Sequence, residues 1–444
     1  MRLGDNFSKE KDVRPNDFVE QLRMSTAEFR PPVQSPMDTD FYKFTMGQLI
    51  HKHFPDMEVT FRIIIRDKDI PVWSVIDEEE LHNSLDFAQG LRFQKTDLYY
   101  LRGIDLYDKY MFGEDYLGFL KSFQLPSYQL NKTEGGFSID FTGPWANASV
   151  WETIGLAIVS ELYYRALMRK IPKHELEIVY ARAMSRIYTK LETLRSRGRI
   201  RFTDFGQRRR HSFLWQEWVL GLCKEMMGEQ FTGTSNTWMA FHHNLDAIGT
   251  NAHELPMVLT ALANSEDEMR SAQYRVLELW QEMYGQGLRI FLPDTYGSAQ
   301  FFENAPKWLL DWRGQRQDSG DPIVEGCRYQ NWLRKNHTDP SKRVTIFSDG
   351  LDVGSMIRID SFFGDDHPHP FGWGTLLTND FTNCHTDNVN FRPFSMACKV
   401  ISANGRPCVK LSNNIKKATG PKEEIERYTR IFGNEERVST DVMV

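Results

Sequence analysis

The second half of the chain repeats one pattern, and that pattern constrains the fold more than any other feature. Between residues 201 and 380, short apolar runs end in loops rich in Gly, Asp and Ser, with helical stretches between several of them. Strand, polar loop and helix, repeated in this way, are typical of a parallel α/β fold whose working loops lie at the carboxyl ends of the strands. Six or seven such units predict an α/β barrel. They read RFTDFGQRRR, QFTGTSN, AIGTNAHE, RIFLPDTYG, DWRGQRQDSGDP, VTIFSDGLD and FGWGTLLTND.

The two ends of the chain follow a different pattern. Strand-like runs bounded by turn residues occur at 58–66, 97–103 and 135–143, and apolar spacing predicts two helices between 151 and about 198. Near the C-terminus, the pair Asn404-Gly405 predicts a hairpin that returns to the N-terminal region.

These patterns predict three regions. Residues 1–36 form a polar N-terminal lead, and residues 149–384 form the α/β barrel. Residues 37–148, together with about 385–444, form a β-rich α+β domain that draws on both ends of the chain.

Two of the barrel loops contain groups suited to phosphate. In GWGTLLTND, Gly372 and Gly374 leave backbone N–H groups free to converge on a phosphate, and Thr375 adds a hydroxyl. In FSDGLD, Asp349 and Gly350 directly follow an apolar strand. Each loop alone is more often an ordinary turn, and only their joint position at successive strand ends favours a phosphate site.

A third loop, RQDSGDP, places Arg316 beside the carboxylates of Asp318 and Asp321. Such a set suits a ribose diol, a Mg²⁺-bound diphosphate, or both. In DFGQRRRHSF, three arginines follow Phe205, whose ring is available for stacking on an aromatic ligand. A solvated basic turn or a nucleic-acid patch explains the arginines equally well in isolation.

Charge and hydropathy exclude several classes of function. The formal net charge is −6, whereas general nucleic-acid binders are more often basic. No run approaches the roughly 18 apolar residues of a membrane span, and the first 20 residues lack the apolar core of a signal peptide. We therefore expect a cytoplasmic protein that binds neither nucleic acid nor membrane.

The five cysteines do not form a paired pattern. Without a CxxC motif, neither a disulfide framework nor a zinc ribbon is indicated, and buried reduced thiols are expected. A metal cluster at Cys384, His385, Cys398 and Cys408 is the weaker alternative, because closed zinc sites usually have ligands at short spacing.

Nine motifs, taken in order, resemble those of nicotinate phosphoribosyltransferases. The resemblance spans residues 37 to about 420 and is specific because all nine occur in the family's sequence order. The motifs are DTDFYKFTM, DFGQRRR, FTGTSN, IGTNAHE, LPDTYG, RQDSGDP, FSDGLD, GWGTLLTND and CVKLSNNIKKATG.

The resemblance implies a fold and an activity. The fold is an irregular α/β barrel of the type II phosphoribosyltransferase kind, with a β-rich domain from the N-terminus and part of the C-terminus. The activity joins nicotinate to 5-phosphoribosyl 1-diphosphate in NAD salvage, with ATP as co-substrate, Mg²⁺ as cofactor and a homodimer as the assembly. ATP would phosphorylate an active-site histidine, and we expect that modification to tighten binding of the phosphoribosyl substrate.

The resemblance also implies roles for individual residues. His253 is the phosphorylated histidine, Asp294 accepts a hydrogen bond from it, and Asp318 completes the catalytic set. Asp40 and Tyr42 serve the partner subunit's pocket, and which residues hold Mg²⁺ stays open. The substrate-binding set is Asp40, Tyr42, Phe205, Arg208, Thr234, Ser235, Arg316, Ser348, Asp349, Gly350, Gly372, Gly374, Thr375 and Lys410.

Other histidines and other functions offer alternatives to this interpretation. His211 is a weak candidate for phosphate contact, and His242 and His243 are expected at the surface or in packing. Leu255 and Gln317 depart from the residues common in the family. The nearest rival is nicotinamide phosphoribosyltransferase. More distant ones are quinolinate phosphoribosyltransferase, a binding protein that has lost catalysis, and an RNA-binding protein using RRRH.

Overall fold

A computed structural model describes residues 30–133, 136–385, 391–433 and 436–440. Residues 1–29 of the predicted polar lead lie outside the described residues. The described strands form two sheets. They are β1 Glu58–Ile65, β2 Tyr128–Thr133, β3 Gly136–Pro144, β4 Phe202–Asp204, β5 Phe231–Thr234, β6 Ile290–Phe291, β7 Gly314–Gln317, β8 Val344–Phe347, β9 Phe371–Trp373, β10 Met396–Ala403 and β11 Arg406–Pro407.

Helices follow most strands of the second half, as the repeated pattern predicts. In chain order the described helices are α1 Tyr42–His53, α2 Val72–Val75, α3 Glu78–Gly90, α4 Lys95–Gly103, α5 Glu114–Lys121, α6 Trp145–Ala148, α7 Trp151–Met168, α8 Lys173–Arg195, α9 Phe213–Met227, α10 Thr237–His243, α11 Glu254–Leu262, α12 Glu266–Met283, α13 Ser298–Asn304, α14 Pro322–Lys335, α15 Val353–Phe363, α16 Thr375–Thr378 and α17 Lys422–Phe432.

The larger sheet has six parallel strands. Their order is β5-β4-β9-β8-β7-β6, and every pairing is parallel, for example Gly314 with Val344. Among the described residues, hydrogen-bonded pairing runs from β5 to β6 and does not join these two strands to each other. The predicted α/β class is confirmed, and the carboxyl ends of all six strands lie along one edge.

The smaller sheet is antiparallel and unites the two ends of the chain. Its order is β11-β10-β1-β3-β2, so the C-terminal strand β10 pairs directly with the N-terminal strand β1. The predicted hairpin is confirmed. Asn404 and Gly405 both have positive φ, 45° and 77°, as a tight turn between β10 and β11 requires.

One predicted strand is wrong. Residues 97–103 belong to helix α4, which begins with a capping box in which the Asp97 carboxylate accepts a hydrogen bond from the Gln94 backbone N–H at 2.8 Å. Leu101 and Asp97, four residues apart, face the interior. The cap and the helical spacing outweigh the β-preference of the two adjacent tyrosines.

Helix α7 connects the two sheets. All but one of its 18 residues are buried, and it packs on β1 and β10 and on the loop after β4. Trp151 stacks on Phe141 of β3 with ring centroids 4.6 Å apart. Among the described residues, no helix is both long enough and apolar enough to cross a bilayer.

Candidate active site

The loops at the carboxyl ends of the parallel strands enclose a cavity of about 130 Å³. Strand β7 contributes Arg316, the loop after it contributes Asp318, the loop after β8 contributes Ser348 and Asp349, and other walls come from the loops after β4 and β9. Gly350 at the same rim has φ 55°, a left-handed conformation that favours glycine. The sequence pattern therefore brings these loops together as predicted.

The walls of this cavity are strongly cationic. Seven basic side chains face two carboxylates, those of Asp318 and Asp349. Such an excess of positive charge in so small a space suits a ligand with several phosphate groups. The basic residues are Arg66, Arg208, Arg209, Arg316, Lys399, Lys410 and Lys417.

Hydrogen bonds fix the central carboxylate. Arg316 donates to Asp318 at 3.1 Å and to the Asn251 carbonyl oxygen at 3.1 Å, and the Ser348 hydroxyl donates to Asp318 at 3.1 Å. Burial raises the pKa of Asp318, but the Arg316 cation and the hydrogen bond from His253 outweigh burial and hold this pKa well below its usual range. Asp318 is therefore ionised at neutral pH.

Two lysines from the C-terminal motif close the cavity. Lys417 pairs with Asp349 and donates to the Asp318 carbonyl oxygen at 3.2 Å. Lys410 lies 3.6 Å from Asp294, and burial lowers the pKa of Lys410 to about 8. The charge of Lys410 is thus set to change just above neutral pH.

A second cavity of about 670 Å³ adjoins the first and shares Phe205, Arg208 and Arg316 with it. Asp40 and Tyr42 also line it. Gly372 lies beneath the Phe205 ring, because a Cβ atom at position 372 would overlap that ring. The result is an aromatic and cationic recess next to the phosphate-sized cavity.

The N-terminal segment with Asp40 and Tyr42 lines the larger cavity of its own chain. Asp40 accepts a hydrogen bond from the Ser235 hydroxyl at 2.6 Å and lies 3.4 Å from Arg208, and the Phe41 N–H donates to the Ser235 carbonyl oxygen at 2.6 Å. These bonds attach the segment to its own chain, and the expectation that Asp40 and Tyr42 complete a partner's pocket stays a prediction.

His253 lies at the start of helix α11, and its side chain is only 3% exposed. Its Nδ1 is 2.9 Å from the Thr295 hydroxyl, and its Nε2 is 3.0 Å from the Asp318 carboxylate. Because a carboxylate only accepts, Nε2 carries the proton. Burial, with Lys410 as a further cause, lowers the pKa of His253 to about 4, so the imidazole is neutral.

The carboxylate that orients His253 is therefore Asp318 and not Asp294 as predicted. Asp294 lies 3.6 Å from Nε2, beyond hydrogen-bond distance, and its other oxygen accepts from the Ser319 hydroxyl at 2.6 Å. The two carboxylates still flank the ring together.

The residue after His253 belongs to a buried ion cluster. Lys43 bridges Glu254 at 2.5 Å and Glu152 at 2.7 Å, and all three side chains are at most 4% exposed. Glu152 in turn lies 3.6 Å from Arg208 and 3.4 Å from Lys399. Burial alone would lower the pKa of Lys43, but the two carboxylates outweigh burial and raise it. This cluster connects the helix of His253 to both cavities.

Three residues singled out from the sequence have structural positions instead. Thr234 is predicted to bind substrate, but its hydroxyl donates to the buried Asp204 at 2.7 Å and lines neither cavity. Gly372 lines neither cavity, and its missing side chain leaves room for the Phe205 ring that covers it. Arg210 is fully buried and makes a two-bond ion pair with Asp38.

His211 does not meet phosphate either. It stacks on Phe381 with centroids 3.7 Å apart, and burial lowers its pKa to about 3. His242 is exposed and stacks on Trp238, and His243 contacts Glu217, so the expectation of surface or packing roles for both is confirmed.

Several residues of the site were not predicted. Arg66, Lys399 and Lys417 line the phosphate-sized cavity, and Thr295 contacts His253. Lys417 and Thr295 lie inside two of the nine motifs, so their position in those motifs could have marked them as candidate site residues. Arg66 and Lys399 lie in or beside strands of the antiparallel sheet, where no local signal marks them.

One group in the described residues has the spacing of metal ligands. His253, Asp294 and Asp318 each offer an atom within 4.8 Å of the others. The buried Oδ1 of Asp294 has no hydrogen-bond partner among the described residues, so it is available to a cation. All five cysteines are free, and the weaker alternative of a cysteine cluster finds no support in the part of the chain that is described.

Fold and site together define an α/β protein with a cationic, phosphate-sized cavity beside an aromatic recess at the carboxyl ends of its parallel strands. The sequence matches the nicotinate phosphoribosyltransferase (NAPRTase) family over residues 200–436 and the N-terminal domain of that family over residues 37–160. The chain therefore belongs to the nicotinate phosphoribosyltransferase family, whose members are enzymes.

Solved structures agree with this assignment. The chain is similar to a nicotinate phosphoribosyltransferase from Porphyromonas gingivalis, with 28% identity, a TM-score of 0.79, and coverage of 90% of this chain and 100% of that one. It is also similar to one from Vibrio cholerae, with 28% identity, a TM-score of 0.80, and coverage of 94% and 96%.

Proposed function

We propose that this enzyme transfers the phosphoribosyl group of 5-phosphoribosyl 1-diphosphate to nicotinate in NAD salvage. The observation that carries the proposal is the joining of two cavities: a cationic one of about 130 Å³ and a larger recess containing Phe205, Tyr42 and Arg208. The cationic cavity suits the phosphates and ribose of one substrate, and the larger recess suits a flat ring with a carboxylate. Arg208 and Arg316 lie where the two meet.

The reaction requires little from general acid–base groups. The pyridine nitrogen of nicotinate attacks the anomeric carbon, the bond from that carbon to the diphosphate oxygen breaks, and diphosphate leaves with the electron pair. Positive charge develops on the ribose, and negative charge develops on the leaving group. The ionised Asp318 is suited to stabilise the positive charge on the ribose. The cations Arg316, Lys410 and Lys417 are suited to stabilise the negative charge on the leaving diphosphate.

Mg²⁺ fits the same site. Magnesium is usually held by one or two carboxylates together with substrate phosphates, and Asp318 and the unpartnered Oδ1 of Asp294 offer those oxygens. Bound there, Mg²⁺ would neutralise charge on the leaving diphosphate. We propose Asp294 and Asp318 as its protein ligands.

We further propose that ATP phosphorylates His253. A neutral imidazole is nucleophilic, and burial keeps this ring neutral. A ring nitrogen attacks the γ-phosphorus, ADP leaves with the electrons of the broken P–O bond, and Asp318 is placed to accept the ring proton. The phosphoryl group then adds negative charge beside Lys410 and Arg316 and rearranges the contacts that hold the phosphoribosyl substrate.

The test is a discharge assay with nicotinate, 5-phosphoribosyl 1-diphosphate and Mg²⁺, with and without ATP. We expect ATP to accelerate formation of nicotinate mononucleotide in the wild type and to have no effect on His253→Ala. His211→Ala is the matched control, because that histidine is also buried but lines neither cavity. Equal rates with and without ATP in the wild type would remove the phosphohistidine proposal and leave the transfer reaction standing.

Nicotinamide phosphoribosyltransferase is the rival activity on the same fold. At the recess two cations, Arg208 and Arg316, face one carboxylate, that of Asp40, and this net positive charge favours a carboxylate over an amide. Competition between nicotinate and nicotinamide at equal concentrations measures the preference directly.

We also propose that the protein is a homodimer. Size-exclusion chromatography with light scattering, which gives the molar mass of the eluting species, tests this proposal.

A further inference from the structure

The larger cavity extends beyond the substrate recess and reaches the opposite edge of the parallel sheet. Phe205 and Arg208 follow strand β4, whereas Arg201 precedes that strand, and all three line the same cavity. Thr203, Ile290, Ile346 and Phe371 line it between the two edges. The barrel therefore has a second mouth, at the amino ends of its strands.

Basic residues occur at matching positions around this second mouth. Arg201, Arg313 and Arg343 each directly precede a strand, namely β4, β7 and β8. In the sheet order β4-β9-β8-β7, these strands are neighbours or are separated only by β9. Because parallel strands in register begin at one edge, the three guanidinium groups surround one opening, and Lys342 adds a fourth cation.

These cations are poorly neutralised. Arg313 donates only to the Gly287 carbonyl oxygen at 3.3 Å among the bonds of the described residues, and Arg343 donates to the Leu310 carbonyl oxygen at 2.7 and 2.9 Å. The carboxylate nearest to Arg201, that of Glu229, is 4.0 Å away and 95% exposed.

Carboxylates at the mouth are already paired. Arg199 donates two hydrogen bonds to the Asp360 carboxylate, at 2.8 and 2.9 Å, and lies 3.2 Å from the Asp365 carboxylate. His369 also contacts Asp360. Four cations thus face the opening, and among the described residues only Arg201 has a carboxylate within 4.0 Å, in a protein whose overall charge is negative.

We propose that this mouth is a second anion site, which binds inorganic phosphate or the phosphate group of a small metabolite. The phosphate lies among Arg201, Arg313, Lys342 and Arg343, and the uncharged part of a larger ligand enters the apolar interior beside Ile346 and Phe371. The site is separate from the phosphate-sized cavity, whose cations lie at the carboxyl ends of the strands. The inference does not depend on ATP coupling or on the identity of the transferred group.

Equilibrium dialysis with radiolabelled inorganic phosphate tests the proposal on the full chain. Three variants are compared with wild type: a mouth variant (R201Q/R313Q/K342Q), a front variant (R316Q/K417Q) and a surface control (K95Q/K121Q/K335Q). The control removes the same number of exposed charges as the mouth variant. Circular dichroism confirms that each variant is folded, as expected for the mouth variant because its three residues are exposed.

We expect wild type to bind phosphate in two classes of site. The mouth variant should weaken one class by at least about tenfold, the front variant should weaken the other, and the surface control should bind as wild type does. The two losses should add when the variants are combined, since the sites are well separated.

The proposal is overturned if the mouth variant binds phosphate as wild type does, or if the surface control loses as much as the mouth variant. Failure of the proposed function has a different signature, because it would appear as unaltered binding in the front variant. The two conclusions can therefore fail separately.

Discussion

Replacing Lys43 by methionine tests how the buried ion cluster holds the helix of His253 in place. The variant keeps a side chain of similar length but removes the ammonium group that lies 2.5 Å from Glu254 and 2.7 Å from Glu152. Glu254 would keep bonds from the Ser149 hydroxyl at 2.6 Å and the Trp145 indole at 3.2 Å, and Glu152 would keep Lys399 at 3.4 Å.

The expected loss follows from burial. Breaking a buried ion pair by removing one partner costs about 3–5 kcal/mol, because the remaining charge is desolvated and uncompensated. Burial raises the pKa of Glu152, but the charges of Lys43, Lys399 and Arg208 outweigh burial and lower it. A lowered carboxyl pKa contributes stability that is present above the unfolded pKa and is lost as pH falls, and Lys43→Met removes part of that contribution, so the defect should be larger at pH 7 than at pH 4.

The assay is urea unfolding followed by tryptophan fluorescence at both pH values. Arg102→Met is the matched control, because it breaks a 2.7 Å pair with Glu114 in which the side chains are 43% and 73% exposed. An exposed ion pair contributes little to stability, because solvent screens its charges. A loss in Lys43→Met no greater than in Arg102→Met, or a defect that shrinks at higher pH, would refute the reasoning.

Three further predictions concern catalysis. Arg208→Met should raise the KM for nicotinate by about 10–100-fold, as expected for loss of a charged hydrogen bond, and should leave the KM for nicotinamide nearly unchanged in steady-state assays. Because burial lowers the pKa of Lys410 to about 8, the KM for 5-phosphoribosyl 1-diphosphate should rise above pH 8, and Lys410→Arg should abolish that rise. With the pKa of His253 lowered to about 4, chiefly by burial, phosphohistidine formation, quenched in alkali because the P–N bond is acid-labile, should be constant from pH 5 to 8, and an inflection near pH 6.5 would contradict it.

Much of the site follows from one property of parallel sheets. Arg316, Ser348 and Gly374 are far apart in sequence, but each lies at or just after the carboxyl end of a strand, and the strand ends share an edge. Recognising the repeat of strand and polar loop was therefore enough to predict that these residues meet. The hairpin at Asn404 was predictable for a similarly local reason, since its turn requires particular residues.

What could not be predicted depends on contacts between distant segments. Arg66 and Lys399 reach the cavity only because β1 pairs with β10 in one register, with Arg62 opposite Lys399, and no local pattern specifies that pairing. Thr234 shows a limit of motif reading. It precedes Ser235, and adjacent residues of an extended strand point to opposite sides, so only Ser235 faces the ligand recess.

The pairing of β1 with β10 also limits how far the chain can fold during its synthesis. Val59 pairs with Ala403, so β1 leaves the ribosome roughly 340 residues before its central partner, on the order of 20–70 s earlier at about 5–20 residues per second. Throughout that interval one edge of the N-terminal strands is unpaired and prone to wrong association. Lys410 and Lys417 emerge later still, so a nascent chain whose barrel has already formed would still lack two of the cations around its phosphate-sized cavity.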